Sequence, residues 1–153
     1  MARGPMSVPL GFMPDGKRLL VAANEGRDTM GLFTHDPEAN KRLEALAAHP
    51  QFDMGADQIG NPQPGLMVDP VSQEIAGLRV AAEKPETVWV EPKLAALQKA
   101  IDTALPGRVN SFAPPREGQR VLITSFSDRE PARWYLLDRA TMRLEEVGRS
   151  RPW

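Results

Sequence analysis

Gly-Lys-Arg-Leu-Leu-Val at residues 16–21 returns as Gly-Gln-Arg-Val-Leu-Ile at residues 118–123, and this repeated stretch decides the fold. Each copy leads through a polar loop to an aromatic segment, at residues 31–33 and again at residues 133–135. The offset between the copies is 102 residues, and a weaker copy at residues 73–90 lies between them. A period of about 50 residues is typical of propellers and solenoids. The pattern of turn, apolar strand, loop and aromatic strand therefore predicts blades of a β-propeller.

The predicted fold class is mostly β, with about three β-propeller-type blades of antiparallel strands and one inserted α-helix. The chain has 153 residues, 41% hydrophobic and 25% charged, as expected for one globular domain. After an N-terminal tail at residues 1–8, we expect a partial propeller over residues 9–153. The approximate blades are residues 9–54, 55–91 and 106–153, with the helical insertion at residues 92–105.

The strand type can be predicted from the pattern of apolar residues. Residues 19–23 are apolar without alternation, which predicts an inner strand covered on both faces. Residues 41–48 have helical propensity, but their position in the repeat demands an outer strand. Their counterpart at residues 142–147 alternates as a strand does, so we favour the strand.

One amphipathic helix is predicted between the second and third copies. Pro92 suits a first helical turn, and Leu94, Leu97 and Ile101 recur at helical spacing before Pro-Gly at residues 106–107 ends the run. The apolar stripe packs on a blade edge or, alternatively, contacts a neighbouring domain or subunit. Exposure of the stripe in the isolated chain would favour the second interpretation.

Composition argues against several kinds of partner. The net charge of −1 gives no broad positive field, so no nucleic-acid partner is expected. The chain has no cysteine and two histidines, and we predict neither a metal site nor a cofactor. His35 is interpreted as a strand residue and His49 as a loop residue. The aromatic residues Trp89, Trp134 and Tyr135 recur in successive copies and are interpreted as blade packing.

The first residues contain no apolar run long enough for a signal-peptide core, and no later segment is long enough to span a bilayer. We therefore expect no membrane partner and a cytoplasmic location.

An ordered series of segments resembles the propeller of bacterial prolyl oligopeptidase family serine peptidases, of the acylaminoacyl peptidase and dipeptidyl aminopeptidase type. These segments are residues 12–17, 24–29, 79–89, 106–110, 125–129 and 150–153. In that family the propeller precedes an α/β-hydrolase domain with a Ser-Asp-His triad, and it limits entry to short peptides. The resemblance implies a non-catalytic, substrate-gating segment that meets peptide substrate only in the context of a hydrolase domain.

The catalytic residues of that family have no matching positions here. An α/β-hydrolase needs a Gly-x-Ser-x-Gly turn to present its nucleophile, and no such string occurs in the chain. Ser125 and Ser127 flank Phe126 without the glycines, and neither histidine follows them. We predict that the chain alone is inactive as a hydrolase.

Five loop residues are the candidate substrate contacts, because connecting loops present side chains at the ends of a propeller. They are Asn24, Arg27, Asp28, Asp128 and Arg129. Alternatively they are solvated charges or ordinary ion pairs. Arg27 and Arg129 occupy equivalent positions of the repeat, which favours a structural part in the blade.

About three blades cannot close a ring, since propellers use roughly four to eight. Open blades expose strand edges, so we expect a piece of a longer protein, a truncated product or one part of an assembly that self-associates through blade edges. An alternative function is a stand-alone binding or scaffold module, and a third possibility is an unrelated all-β protein with two hairpin-rich halves joined by a helix. The reading frame after residue 153 would discriminate the first two.

Overall fold

The chain is mostly β. The computed structural model describes residues 6–24, 26–54, 65–116 and 118–151, and within these ranges it contains eleven strands and one helix. The first seven strands are β1 Ser7–Phe12, β2 Leu19–Ala23, β3 Gly31–Asp36, β4 Lys41–Ala47, β5 Gly65–Val68, β6 Ile75–Ala81 and β7 Pro85–Trp89. They are followed by α1 Pro92–Ala104, β8 Val109–Ser111, β9 Arg120–Phe126, β10 Arg133–Asp138 and β11 Arg143–Arg149.

The strands form three antiparallel sheets, and none of them closes on itself. The strand orders are β1-β2-β3-β4, β5-β6-β7 and β11-β10-β9-β8. The first and last sheets have four strands each. Within the described residues the middle sheet has three, and residues 55–64 of the predicted second blade lie outside these ranges.

The described residues divide into two compact units. The first comprises those of residues 1–66 and 77–90, and the second comprises those of residues 67–76 and 91–153. The sheet β1–β4 belongs to the first unit, whereas α1 and the sheet β8–β11 belong to the second.

The hairpin register repeats at the offset that the sequence predicts. In the first unit Leu19 pairs with His35, and in the second Val121 pairs with Leu137, 102 residues later at both positions. All five residue pairs between β2 and β3 recur at this offset between β9 and β10. The hairpin β2–β3 and the hairpin β9–β10 therefore have the same strand register.

The hairpin that follows repeats in the same way. Asn40, in the turn after β3, has a φ of 47°, and Met142, 102 residues later in the turn after β10, has a φ of 55°. Such left-handed backbone is uncommon for residues other than glycine. Its recurrence at equivalent positions shows that the copies share their turn geometry as well as their strands.

The equivalent strands β2 and β9 differ in how their side chains are buried. Four of the five residues of β2 are buried, including Leu20 at 3% exposure, so this strand is covered on both faces as predicted. On β9 burial alternates instead: Ile123 is 0% exposed, whereas Leu122, the equivalent of Leu20, is 56% exposed. The sheet β8–β11 therefore buries one face and leaves the other open.

Two predictions about single elements are confirmed, and one boundary differs. β4 is a strand despite its helical propensity, and Leu94, Leu97 and Ile101 of α1 are buried, with α1 packed on β8. β1 begins at Ser7, inside the segment expected to be a tail, because its backbone pairs with β2 as far as Ala23.

Candidate functional site

The predicted contact residues of the first loop differ in their surroundings. Asn24 is buried, and its side-chain oxygen accepts a hydrogen bond from the Met6 backbone N–H at 2.8 Å, which extends the pairing beyond β1 and β2. Its carbonyl accepts from the Arg27 N–H at 2.6 Å. The side chains of Arg27 and Asp28 are exposed. Asn24 thus shapes the loop, while the two charged residues face solvent.

The second predicted group lies in the loop between β9 and β10. Asp128 and Arg129 are exposed. The loop is held by the Ser127 hydroxyl oxygen, which accepts from the backbone N–H groups of Arg129 and Glu130 at 3.3 and 3.1 Å. This group belongs to the second unit and the Asn24 group to the first, so each loop is a separate candidate contact.

A polar network in the second unit was not predicted. The Arg108 guanidinium, with its side chain 11% exposed, donates to the Ser125 hydroxyl at 2.8 Å and to the Ser125 carbonyl at 3.0 Å. It also forms an ion pair with Glu130. The Ser125 hydroxyl donates to the Asn110 side-chain oxygen at 2.6 Å, and the Asn110 amide donates to Asp102 at 2.9 Å. The network joins α1, β8, β9 and the loop after β9.

These contacts decide what Ser125 can do chemically. Its hydroxyl proton is directed at the amide oxygen of Asn110, which is not a base, and its lone pair accepts from Arg108. The residue is also fully buried. An activated nucleophile needs an adjacent general base and access to substrate, so Ser125 is a structural residue.

His49 lies in the loop after β4, and both of its ring nitrogens have partners. Its Nδ1 accepts from the backbone N–H groups of Gln51 and Phe52, both at 3.1 Å. Its Nε2 lies 3.0 Å from the Glu86 carboxylate at the start of β7. Because Nδ1 is an acceptor, a neutral ring carries its proton on Nε2 and donates it to Glu86. Both nitrogens are engaged, so the ring ties the loop after β4 to β7 and has no lone pair left for catalysis.

Four aspartates hold the turns between strands in a common way. Each carboxylate accepts from the backbone N–H groups two and three residues later, at distances between 2.8 and 3.0 Å. These residues are Asp15, Asp36, Asp69 and Asp138. Asp15 lies in the predicted Pro-Asp-Gly turn, where Gly16 has a φ of 67°. The turn at Asp15 is a local structure that the sequence predicts correctly.

The hydrogen bonds to Asp15, Asp69 and Asp138 lower the pKa values of these carboxylates. The backbone N–H groups of Arg18 and Lys17 lower the pKa of Asp15 to about 2. The Thr141 N–H is the main cause of the lowered pKa of Asp138, and the Ser72 N–H lowers that of Asp69. The ionised forms are favoured because the carboxylates accept hydrogen bonds that a protonated group accepts less well.

The hydrogen-bonded aspartates of these turns should make the folding stability of the chain depend on pH in the acidic range. A pKa that is lower in the folded state contributes stability above the unfolded value of about 3.9, and this contribution is lost as pH falls through the folded value. We expect the urea midpoint to fall between about pH 4 and pH 2, and to fall less steeply in the double variant Asp15→Asn, Asp138→Asn. Asparagine keeps the turn acceptor without titrating, whereas Asp138→Ala should lower the midpoint at neutral pH too. An unchanged slope in the double variant would contradict this prediction.

An open groove of about 310 Å³ lies over one face of the sheet β8–β11. It is lined by Arg120, Leu136, Asp138, Thr141, Arg143 and Glu145. Asp138 pairs across the strands with Arg120 on one side and Arg143 on the other. Two positive and two negative side chains balance, so the groove has no net charge to attract a small anion.

In the described ranges no three histidine, cysteine or acidic side chains are grouped so that they could hold a metal ion. The helix found there is also not long and apolar enough to cross a membrane.

Comparisons of the chain with protein-family models, with curated proteins and with solved structures gave no match.

Proposed function

We propose that this chain is a non-catalytic, propeller-type segment of the kind that limits substrate access in prolyl oligopeptidase family serine peptidases. The observation that carries the proposal is the 102-residue repeat of hairpin register between β2–β3 and β9–β10, together with the repeated left-handed turn residue. Serial copies of one antiparallel sheet are the building principle of a propeller.

The Arg108 network adds a second kind of support. It connects residues 106–110 with residues 125–129, two of the segments that carry the resemblance to these peptidases. The hydrogen bonds that join Arg108, Ser125 and Asn110 lie within the second unit. A network of this kind suits a rigid wall beside an active site better than a site of bond cleavage.

Gating would depend on the exposed loop charges. Arg27 and Asp28 in one loop, and Asp128 and Arg129 in the other, are exposed and can meet a peptide, whereas Asn24 sets the shape of its loop from inside. A cap over a hydrolase selects substrates by size and excludes bulk water from the reaction. The catalytic serine would come from a separate hydrolase domain.

The proposal predicts that the purified chain is inactive. Incubation with acylaminoacyl and prolyl chromogenic peptides should give no turnover, and a fluorophosphonate probe should leave the chain unlabelled because Ser125 is buried and lacks a base. A Ser125→Ala variant serves as the control and should behave like the parent. Labelling or turnover that disappears in this variant would overturn the proposal.

A genetic observation tests the positive part of the proposal. A gating segment requires a hydrolase domain, so the coding region after the codon for residue 153 should continue into a sequence with a Gly-x-Ser-x-Gly turn. A stop codon there would favour the second candidate, a stand-alone binding or scaffold module. That candidate is favoured by the open face of the last sheet, where Leu122 and Val147 are exposed.

A further inference from the structure

We propose that His49 is a pH-sensitive latch, which holds the loop of residues 49–54 closed while its ring is neutral and releases this loop when the ring is protonated. The latch consists of the contacts that the two ring nitrogens make with the loop and with β7. It does not rest on the gating role proposed above, because its test measures the loop itself. Failure of the latch and failure of the gating role are therefore separate results.

His49 does in its loop what an aspartate does in the four turns described above. Its Nδ1 accepts from the backbone N–H groups two and three residues later, as the four carboxylates do. The Nδ1 of histidine and the Oδ1 of aspartate are both bonded to Cγ, so they can meet the same two donors. The two acceptors differ in acid, because aspartate is generally protonated only below about pH 4, whereas histidine changes its charge between about pH 5 and 8. On acidification this loop should therefore lose its acceptor before the aspartate turns do.

A proton on Nδ1 ends its role as an acceptor. A protonated imidazole carries an N–H on both nitrogens and has no lone pair to offer. The N–H groups of Gln51 and Phe52 then point at a third donor, and only a movement of the ring or of the loop separates them. The side chain of His49 is 16% exposed, so water has little access to these groups while the loop is closed. Protonation therefore favours the open loop.

Glu86 opposes the release, but its effect is the smaller one. It is the charged residue of β7, and its carboxylate lies 3.0 Å from Nε2, so it attracts a protonated ring. The side chain of Glu86 is 46% exposed, and an ion pair of this kind changes an equilibrium by about fivefold or less. Each lost hydrogen bond changes it by roughly two- to tenfold, and two such bonds are lost. The loss of the two bonds outweighs the gain of the ion pair.

The other charged groups on the segments that contact His49 lie on its own loop and just before β3. They are Asp53, Arg27 and Asp28. Asp53 acts in the same direction as Glu86, but its carboxylate already accepts from the Met30 N–H at 2.8 Å. Arg27 and Asp28 are adjacent and carry opposite charges, so they largely offset each other. Glu86 remains the principal counter-charge of the ring.

Three hydrogen bonds connect the latch to the first predicted contact loop. The Thr29 hydroxyl donates to the His49 carbonyl at 2.9 Å, and the Met30 N–H donates to Asp53. The Met54 N–H donates to the Met30 carbonyl at 2.9 Å, and Met54 is 2% exposed, so the closed loop is packed on the chain. Thr29 directly follows Arg27 and Asp28, two of the candidate contact residues. Opening of residues 49–54 therefore loosens the end of the contact loop as well.

Amide hydrogen exchange of the whole chain, followed by NMR and corrected for the intrinsic rate at each pH, tests the latch. The protection of the Phe52, Met30 and Met54 amides should fall at least about fivefold between pH 7.5 and pH 5. The amides that pair β2 with β3 should keep their protection, because their bonds do not involve His49. Unchanged protection of the loop would overturn the latch. An equal fall in the β2–β3 ladder would show general unfolding, which also contradicts it.

Two variants separate the ring from other effects of acid. His49→Asn keeps an acceptor on Cγ that does not titrate, so the loop amides should be protected within about twofold at the two pH values. Glu86→Gln keeps an acceptor for Nε2 but removes the opposing charge, so the fall in protection should be about two- to fivefold larger than in the parent. Circular dichroism verifies that both variants are folded. A fall in His49→Asn equal to that of the parent, or a smaller fall in Glu86→Gln, would refute the proposed mechanism.

Discussion

Ile123→Ala should lower the free energy of unfolding of this chain by about 3 kcal/mol. Ile123 lies in the middle of β9, its side chain is 0% exposed, and it shares the inward face of the sheet with Val121. Truncation removes buried methyl groups and leaves a cavity that the surrounding strands fill only in part. Urea denaturation followed by far-ultraviolet circular dichroism measures the loss.

The neighbouring residue provides the control. Leu122→Ala removes a side chain of similar size from the same strand, but that side chain is 56% exposed, so the loss should be below about 1 kcal/mol. Equal losses at the two positions would mean that both faces of β9 are buried, contrary to the structure.

Arg108→Met is expected to cost about 2 kcal/mol. The long apolar side chain keeps most of the packing but removes three donors, which leaves the carbonyl of the fully buried Ser125 without its bond from this guanidinium. Glu130 also loses an ion-pair partner, but it is 48% exposed and can be hydrated, so its part of the loss is small.

A control variant and a double-mutant cycle separate the contribution of the network from the effect of losing a charge. The control is Arg120→Met, and the cycle combines Arg108→Met with Ser125→Ala. Arg120→Met removes a guanidinium from the open face of the same sheet and should cost less than about 0.5 kcal/mol. Combining Arg108→Met with Ser125→Ala should cost about 1 kcal/mol less than the sum of the single changes, because the two side chains share a hydrogen bond. Strict additivity would show that the bond contributes nothing to stability.

Local elements could be predicted because their causes lie within a few residues. The turn at Asp15 and Gly16 needs only a carboxylate acceptor and a residue that tolerates positive φ, and both are visible in the sequence. The helix α1 was predicted from Pro92 and from apolar residues at helical spacing. The strand β4 was predicted from its position in the repeat, against its own propensity, since pairing with β3 outweighs a weak local preference.

The candidate site residues were harder to predict. The sequence places Asn24 and Arg27 in the same loop. Only the folded chain brings the side-chain amide of Asn24 next to the backbone of Met6, 18 residues earlier. Arg108 contacts Ser125, which lies 17 residues later in the chain. His49, in the loop after β4, contacts Glu86 of β7. No pattern of residue types at short spacing signals such contacts, because they depend on how strands and loops are placed in three dimensions.

The sequence by itself determined the repeat with its offset of 102 residues, the turn at Asp15 and the position of the helix. These features are set by short-range backbone geometry and by the periodicity of apolar residues, which repeat wherever the residues repeat. Only the tertiary structure decided that Leu20 is buried while its counterpart Leu122 is exposed. Burial is a property of what packs on a face, and two strands of similar apolar sequence can differ in it completely.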